Sequence, residues 1–228
     1  DLSPEPQVST PLTIAPAPLA PSTDQYAAET AELTRTYASH GGLWGWITSV
    51  DHKSIGKRYI ATCFVWFLLA GVNAAIMRLQ LARPENTIVG PDKYNQLFTV
   101  HGSAMMFLFA VPVMTAFATY LIPLMVGTRE VAYPRLNSFG YYTFLIGGLF
   151  LFTGLYTNTG PDTGWFAYVP LSGPEYAPGK RVDVWAQVVT FTEISALVAA
   201  VEMIVTIFKM RAPGMSLNRI PLYVWSIL

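Results

Sequence analysis

Charge is scarce in this sequence. Lys, Arg, Asp and Glu make up 12% of the 228 residues and divide equally between the two signs, so the formal net charge is zero and no basic surface speaks for nucleic acid. Cysteine is nearly absent: Cys63 stands alone inside an apolar run, which excludes an internal disulfide. There is no initiator methionine, no short apolar segment with a cleavage site resembling a signal peptide, and no visible internal repeat. The chain therefore reads as processed or excerpted.

Apolar and aromatic residues fill the space. They account for 52% and 14% of the chain, with a positive mean hydropathy of +0.38, which is unusual for a soluble domain of this length. From Leu97 to Gly127 no Asp, Glu, Lys or Arg occurs, the length and polarity of a membrane-spanning helix. Further stretches of this kind cover about 59–78, 136–156 and 184–208, and "NRIPLYVWSIL" begins another at Pro221. The expected fold is all-α: a polytopic membrane bundle of four transmembrane helices plus the start of a fifth, the front part of a larger membrane protein. Pro112 and Pro123 fall inside the second span, where neighbouring helices can satisfy the carbonyls they free, so a kink is expected without an end.

Ahead of the bundle, residues 1–42 open with six prolines among Ser, Thr and Ala and show no apolar period, the composition of a disordered tail. Residues 43–228 form the membrane part. Trp44 and Trp46 precede Lys53, Lys57 and Arg58, a mixture of aromatic and basic anchors that suits a membrane face. Placing the N-terminus inside puts nine Lys and Arg on inner segments against five on outer ones, which favours that orientation. The long outer connection "NTGPDTGWFAYVPLSGPEYAPGKRVD" is rich in Gly, Pro and aromatic residues and reads as an ordered cap over the bundle.

Few polar groups lie at membrane depth. His101 sits about one turn below the outer edge of the second span, near the level of Arg78 at the end of the first. A neutral imidazole there is either an iron, copper or zinc ligand or a hydrogen-bond donor to a neighbouring helix, and Arg78 either shares its ligand or snorkels to the headgroups. Gly102, Ser103 and Ala104 allow a porphyrin or another helix to lie close, while Met105 and Met106 read as packing. Glu193 and Glu202 are nine residues apart, about 900° of rotation and about 13 Å of rise, so they point to opposite sides. Each needs a proton, a partner or a polar surrounding. Glu130, in the turn "GTREVAYPRLN", has an ordinary solvated charge as its default reading.

Six segments in order, "DHKSIGKRY", "MRLQLARP", "YNQLFTVHGSAMMFLFAVP", "YLIPLMVGTREVAYPRLNSFGYY", "DTGWFAYVPLSG" and "MRAPGMSLNRIPLYVWSIL", resemble subunit I of the heme-copper terminal oxidases, the cytochrome c oxidases and their quinol-oxidising relatives. The resemblance covers about 46–228. It implies that His101 is an axial ligand of a low-spin heme, of the heme a type, with Arg78 at its edge, Tyr94 near its propionates and Trp165 at a propionate of a second, high-spin heme. It also implies a proton path that starts at Glu130, where the family usually has aspartate, and continues past Asn137, Thr119 (where asparagine is common) and Ser195. Glu193 and Glu202 lie outside the family pattern.

The remaining ligands, including those of the second heme and copper B, would lie beyond this chain, which alone could not reduce oxygen. The implied reaction of the whole is reduction of dioxygen to water with proton pumping. Its implied partners are the rest of subunit I, subunits II and III, cytochrome c or quinol as donor, and membrane lipid. The setting would be an energy-transducing membrane, bacterial rather than mitochondrial. The alternative is a non-catalytic truncated paralogue acting in assembly, or a b-type electron carrier using His101.

Overall fold

The computed structural model describes residues 23–37 and 41–228. Most of the stretch expected to lack structure lies outside these residues, but Thr23–Tyr37 departs from that expectation by forming helix α1. The reason is local. All six early prolines precede Thr23, and the residues that follow include Ala27, Ala28, Ala31, Glu29, Glu32 and Leu33, good helix formers, with Asp24 in the first turn and Arg35 in the last to complement the helix dipole.

A short helix α2 (Gly42–Thr48) leads into α3 (His52–Gln80). Then α4 (Pro91–Ser103), a π-helical stretch (Ala104–Ala110) and α5 (Val111–Val126) run on as one span. After α6 (Pro134–Tyr156) and α7 (Arg181–Lys209) come a single 3-10 turn and α8 (Leu222–Ile227). Among the described residues four helices are long and apolar enough to cross a membrane, and there is no strand. The spans match the hydropathic stretches but each starts earlier, at 52, 91, 134 and 181. At α3 the extra residues are polar, and what starts the helix is a cap: the Asp51 carboxylate accepts from the Ser54 N–H at 2.9 Å and its hydroxyl at 3.0 Å.

Pro112 does not end the second span. In an α-helix its ring would collide with the carbonyl four residues back and it offers no N–H; just ahead of it the backbone takes π geometry over Ala104–Ala110 before α5 resumes. That span closes at Gly127, which is left-handed at φ 75° and would carry a Cβ only 2.8 Å from Ala212 Cβ.

Ile55, Tyr59, Cys63, Trp66 and Ala70 recur every three or four residues along α3 and bury that face against Val100, Leu108, Phe144 and Leu151. A second cluster at the other end joins Ile122 and Val126 of α5 to Ile207 of α7 and Val224 of α8. Backbones approach closely through small residues, as in lipid, where packing rather than the hydrophobic effect holds helices together. A Cβ on Gly148 of α6 would stand 2.5 Å from the Trp66 indole, and one on Gly56 of α3 would stand 2.8 Å from Tyr120 Cβ. The opposite faces, with Leu68, Val72 and Leu197 more than half exposed, remain apolar.

The connection before α7 is pinned to the bundle. The Gly164 N–H donates to Thr99 Oγ1 at 2.9 Å, and Arg181 bridges Asp92 and Asp162. At the other end, the buried Arg58 donates to the carbonyls of Ile47 (2.8 Å) and Ser49 (2.9 Å) and to Tyr142 Oη, with the Trp46 ring 5.3 Å away. This ties α2 to the start of α3.

Candidate functional site

His101 lies on α4 opposite α3. Its Nδ1 is 2.9 Å from the carbonyl oxygen of Ala70, an acceptor only, so Nδ1 carries the proton and Nε2 is left with a free lone pair. Nε2 makes no hydrogen bond among the described residues, and the side chain is half-buried. A carbonyl holding one ring nitrogen is the usual means of orienting the other toward a metal. Beside Ala70, a Cβ on Gly71 would meet nothing within 4 Å. Arg78, seven residues on and on the same face, is exposed and has no hydrogen bond or ion pair among the described residues. Tyr94 lies seven residues before His101 and lines a cavity with Gln80, Asn86 and Val89; Phe98, between them, is 57% exposed. One free imidazole nitrogen, with an unpaired guanidinium further along α3, is a donor set that fits a heme.

Gly102 serves a different purpose from one of those considered. The space its Cβ would take is filled by Trp165, whose own Cβ stands 3.1 Å away, and Ala104 is wholly buried in the core. The small residues after His101 thus admit the cap and a neighbouring helix rather than a porphyrin. Trp165 is held through its carbonyl, which accepts from Trp185 Nε1 at 2.9 Å, and its own Nε1 has no protein acceptor among the described residues. Met105 packs against the core.

At the other end, Glu130 is not a solvated charge. Its Oε1 accepts from the His52 N–H at 2.8 Å, from His52 Nδ1 at 3.0 Å and more weakly from the Val131 N–H at 3.3 Å; the side chain is 15% exposed and His52 is fully buried. The turn wraps back onto the N-terminus of α3, where free N–H groups and the helix dipole favour an anion. Asp51 lies beside this pair, and although partial burial opposes its ionisation, the Ser54 donors and the Lys53 ammonium hold its carboxyl below the usual carboxylate range. Asn137, buried on α6, leaves Nδ2 without a partner, as His52 leaves Nε2.

Thr119 is buried on α5, and Ser195 is buried on α7 with its Oγ 2.9 Å from Tyr59 Oη. The structure therefore brings Glu130 and Asn137 to one end of the bundle and places Ser195 further along it. Glu193 is exposed and Glu202 buried, on opposite sides of α7 as their spacing requires. Sequence reasoning singled out neither His52 nor Tyr59. The only signal for His52 is the capping pattern of Asp51 and Ser54 around it, and none marks Tyr59 apart from other tyrosines.

Residues 54–228 match the family model described as Cytochrome C and Quinol oxidase polypeptide I. The chain is 42% identical over 203 residues to the putative cytochrome c oxidase subunit 1-beta of Streptomyces avermitilis, an alignment covering 89% of this chain and 36% of that one. It is 45% identical over 184 residues to the protein of the same name from Streptomyces coelicolor (80% and 32%). With the cytochrome c oxidase subunit 1 of Corynebacterium diphtheriae it shares 39% over 211 residues (92% and 37%). The chain spans about a third of the length of these curated relatives.

Proposed function

Since this chain belongs to the cytochrome c and quinol oxidase polypeptide I family, and is an integral membrane protein with four helices among the described residues long and apolar enough to span, we propose that it supplies the first spans of a terminal oxidase that reduces dioxygen to water. The rest of subunit I would bring the second heme, copper B and their ligands, and further subunits would complete the complex. The names of the relatives favour cytochrome c over quinol as the donor.

The observation that carries this reading is His101, with Nδ1 fixed to Ala70 and Nε2 free over the α3/α4 face. Nε2 would hold the iron of a low-spin heme of the heme a type. Such a heme passes single electrons. Arg78 would hold the edge of that heme, Tyr94 would lie toward its propionates, and Trp165 would lie toward a propionate of the second, high-spin heme. The chain's own contribution is to set the imidazole tautomer, to orient the ligand nitrogen, and to place a fixed positive charge beside the ring.

With the N-terminus inside, Glu130 lies at the inner surface and collects protons for the reaction, with Asn137, Thr119 and Ser195 along the way inward. In support, its carboxylate is held in place by His52 yet remains 15% exposed. In the complete enzyme, His101→Ala should abolish the low-spin heme absorbance. Intact low-spin absorbance in that variant overturns the ligand assignment. Separately, Glu130→Gln should slow proton uptake with both heme spectra normal, and full turnover would remove Glu130 from the path.

A further inference from the structure

Glu202 is a buried carboxyl that the reading above leaves without work. It is 1% exposed, and neither carboxyl oxygen has a hydrogen-bond partner among the described residues. A lone carboxylate so placed costs several kcal/mol. Packing alone would be served better by Leu or Met, so the retained carboxyl needs a reason. Its surroundings supply one. Glu202 lies within electrostatic reach of Glu130 and beside the Asn137 N–H, which is already committed to the Tyr133 carbonyl at 3.0 Å. Two further buried polar atoms at this end lack partners, Asn137 Nδ2 and His52 Nε2. One turn further along α7, Thr206 Oγ1 accepts from the Ala132 N–H at 3.0 Å and so ties the turn carrying Glu130 to the helix carrying Glu202.

The same face of α7 continues toward the middle of the bundle. Ser195 is seven residues from Glu202, two turns or about 10 Å along the axis, and bonds Tyr59. Tyr59 in turn lines a cavity of about 90 Å³ together with Thr115, Thr192 and Glu193. That volume has room for water; Phe107, Pro112 and Phe144 make much of its wall apolar, and the Tyr59, Thr115 and Thr192 oxygens and the Glu193 carboxylate are the acceptors it offers.

We infer that Glu202 is a proton-carrying group that takes protons from Glu130 and hands them toward Ser195, Tyr59 and this cavity. The inference rests on Glu130 as the collector. In each cycle the Glu130 carboxylate binds a proton from the inner aqueous side and releases it. The Glu202 carboxylate binds that proton through a bridging water and releases it inward. Both groups return to their starting protonation and no electron moves.

The test uses the complete oxidase in vesicles. Glu202→Gln should cut proton uptake from the inner face about a hundredfold, the lower end of what a positioned proton-transfer group contributes, and leave both heme spectra unchanged. Glu202→Asp should recover part of the loss. Infrared difference spectra should contain a carboxyl C=O band that shifts in D2O and disappears in Glu202→Gln. If Glu202→Gln turns over normally while Glu130→Gln is slow, Glu202 is not a relay and the collector reading survives. If Glu130→Gln is silent and Glu202→Gln slow, the collector reading and the route from it both fall. Should Glu202→Gln not assemble, the wild-type complex decides: a hydrophobic carbodiimide, which attacks protonated carboxyls, should modify Glu202, and an unmodified Glu202 overturns the inference.

Discussion

Replacing Glu130 by Ala removes one carboxylate oxygen from two donors of a single buried residue. The His52 N–H (2.8 Å) belongs to the first turn of α3 and has no acceptor within the helix; the His52 Nδ1–H (3.0 Å) sits on a ring with no exposure. Leaving each unsatisfied costs about 1–3 kcal/mol, so Glu130→Ala should destabilise the chain by about 2–6 kcal/mol. Gln keeps an acceptor in place but loses the charge, which roughly halves each of two bonds worth about 1.5–3 kcal/mol, and about 1.5–3 kcal/mol is expected for Glu130→Gln. The ring contact can be isolated by a double-mutant cycle with His52→Leu, whose coupling should be about 1–3 kcal/mol. Denaturant titration of the complete subunit in detergent micelles measures all four corners. Coupling below about 0.5 kcal/mol, the ordinary scale for surface positions, would refute the pairing and return Glu130 to solvent.

Gly148→Ala would set a Cβ 2.5 Å from the Trp66 indole, and the overpacking should cost about 1–3 kcal/mol in the same titration, with Trp66→Leu in the background relieving most of it. Arg58→Met deletes charge-assisted bonds to Ile47 and Ser49, worth about 1.5–3 kcal/mol each, and should expose the segment around Trp44 and Trp46 to protease; Arg58→Lys should not restore it, since an ammonium cannot reproduce the planar fork. Asp51→Ala should cost about 0.5–2 kcal/mol through loss of the α3 cap. Because the folded Asp51 carboxyl titrates below its usual range, this contribution is complete above about pH 4 and is lost as pH falls through the lowered value, so wild type and variant should converge in acid.

The spans were legible because lipid leaves a helix one solution: every backbone group must be satisfied within the segment, so a long apolar run is a helix whatever surrounds it. The π stretch was not, although its cause, Pro112, stood in plain view. A proline shows where a helix is disturbed, and only the packing around it decides whether the backbone kinks, stops or widens. His101 was noticeable as a lone polar group at membrane depth, and its family resemblance suggested a ligand. Which nitrogen is free depends on the Ala70 carbonyl, a backbone atom on another helix that no side-chain pattern reveals. Glu130 could be found but not understood, since its surroundings come from His52, distant in sequence and joined to it only by the turn back onto α3. For Glu193 and Glu202, helical spacing by itself determined that they face opposite ways. Only the tertiary structure decided which of them is buried, because burial is set by the helices that pack against α7 and not by anything written along it.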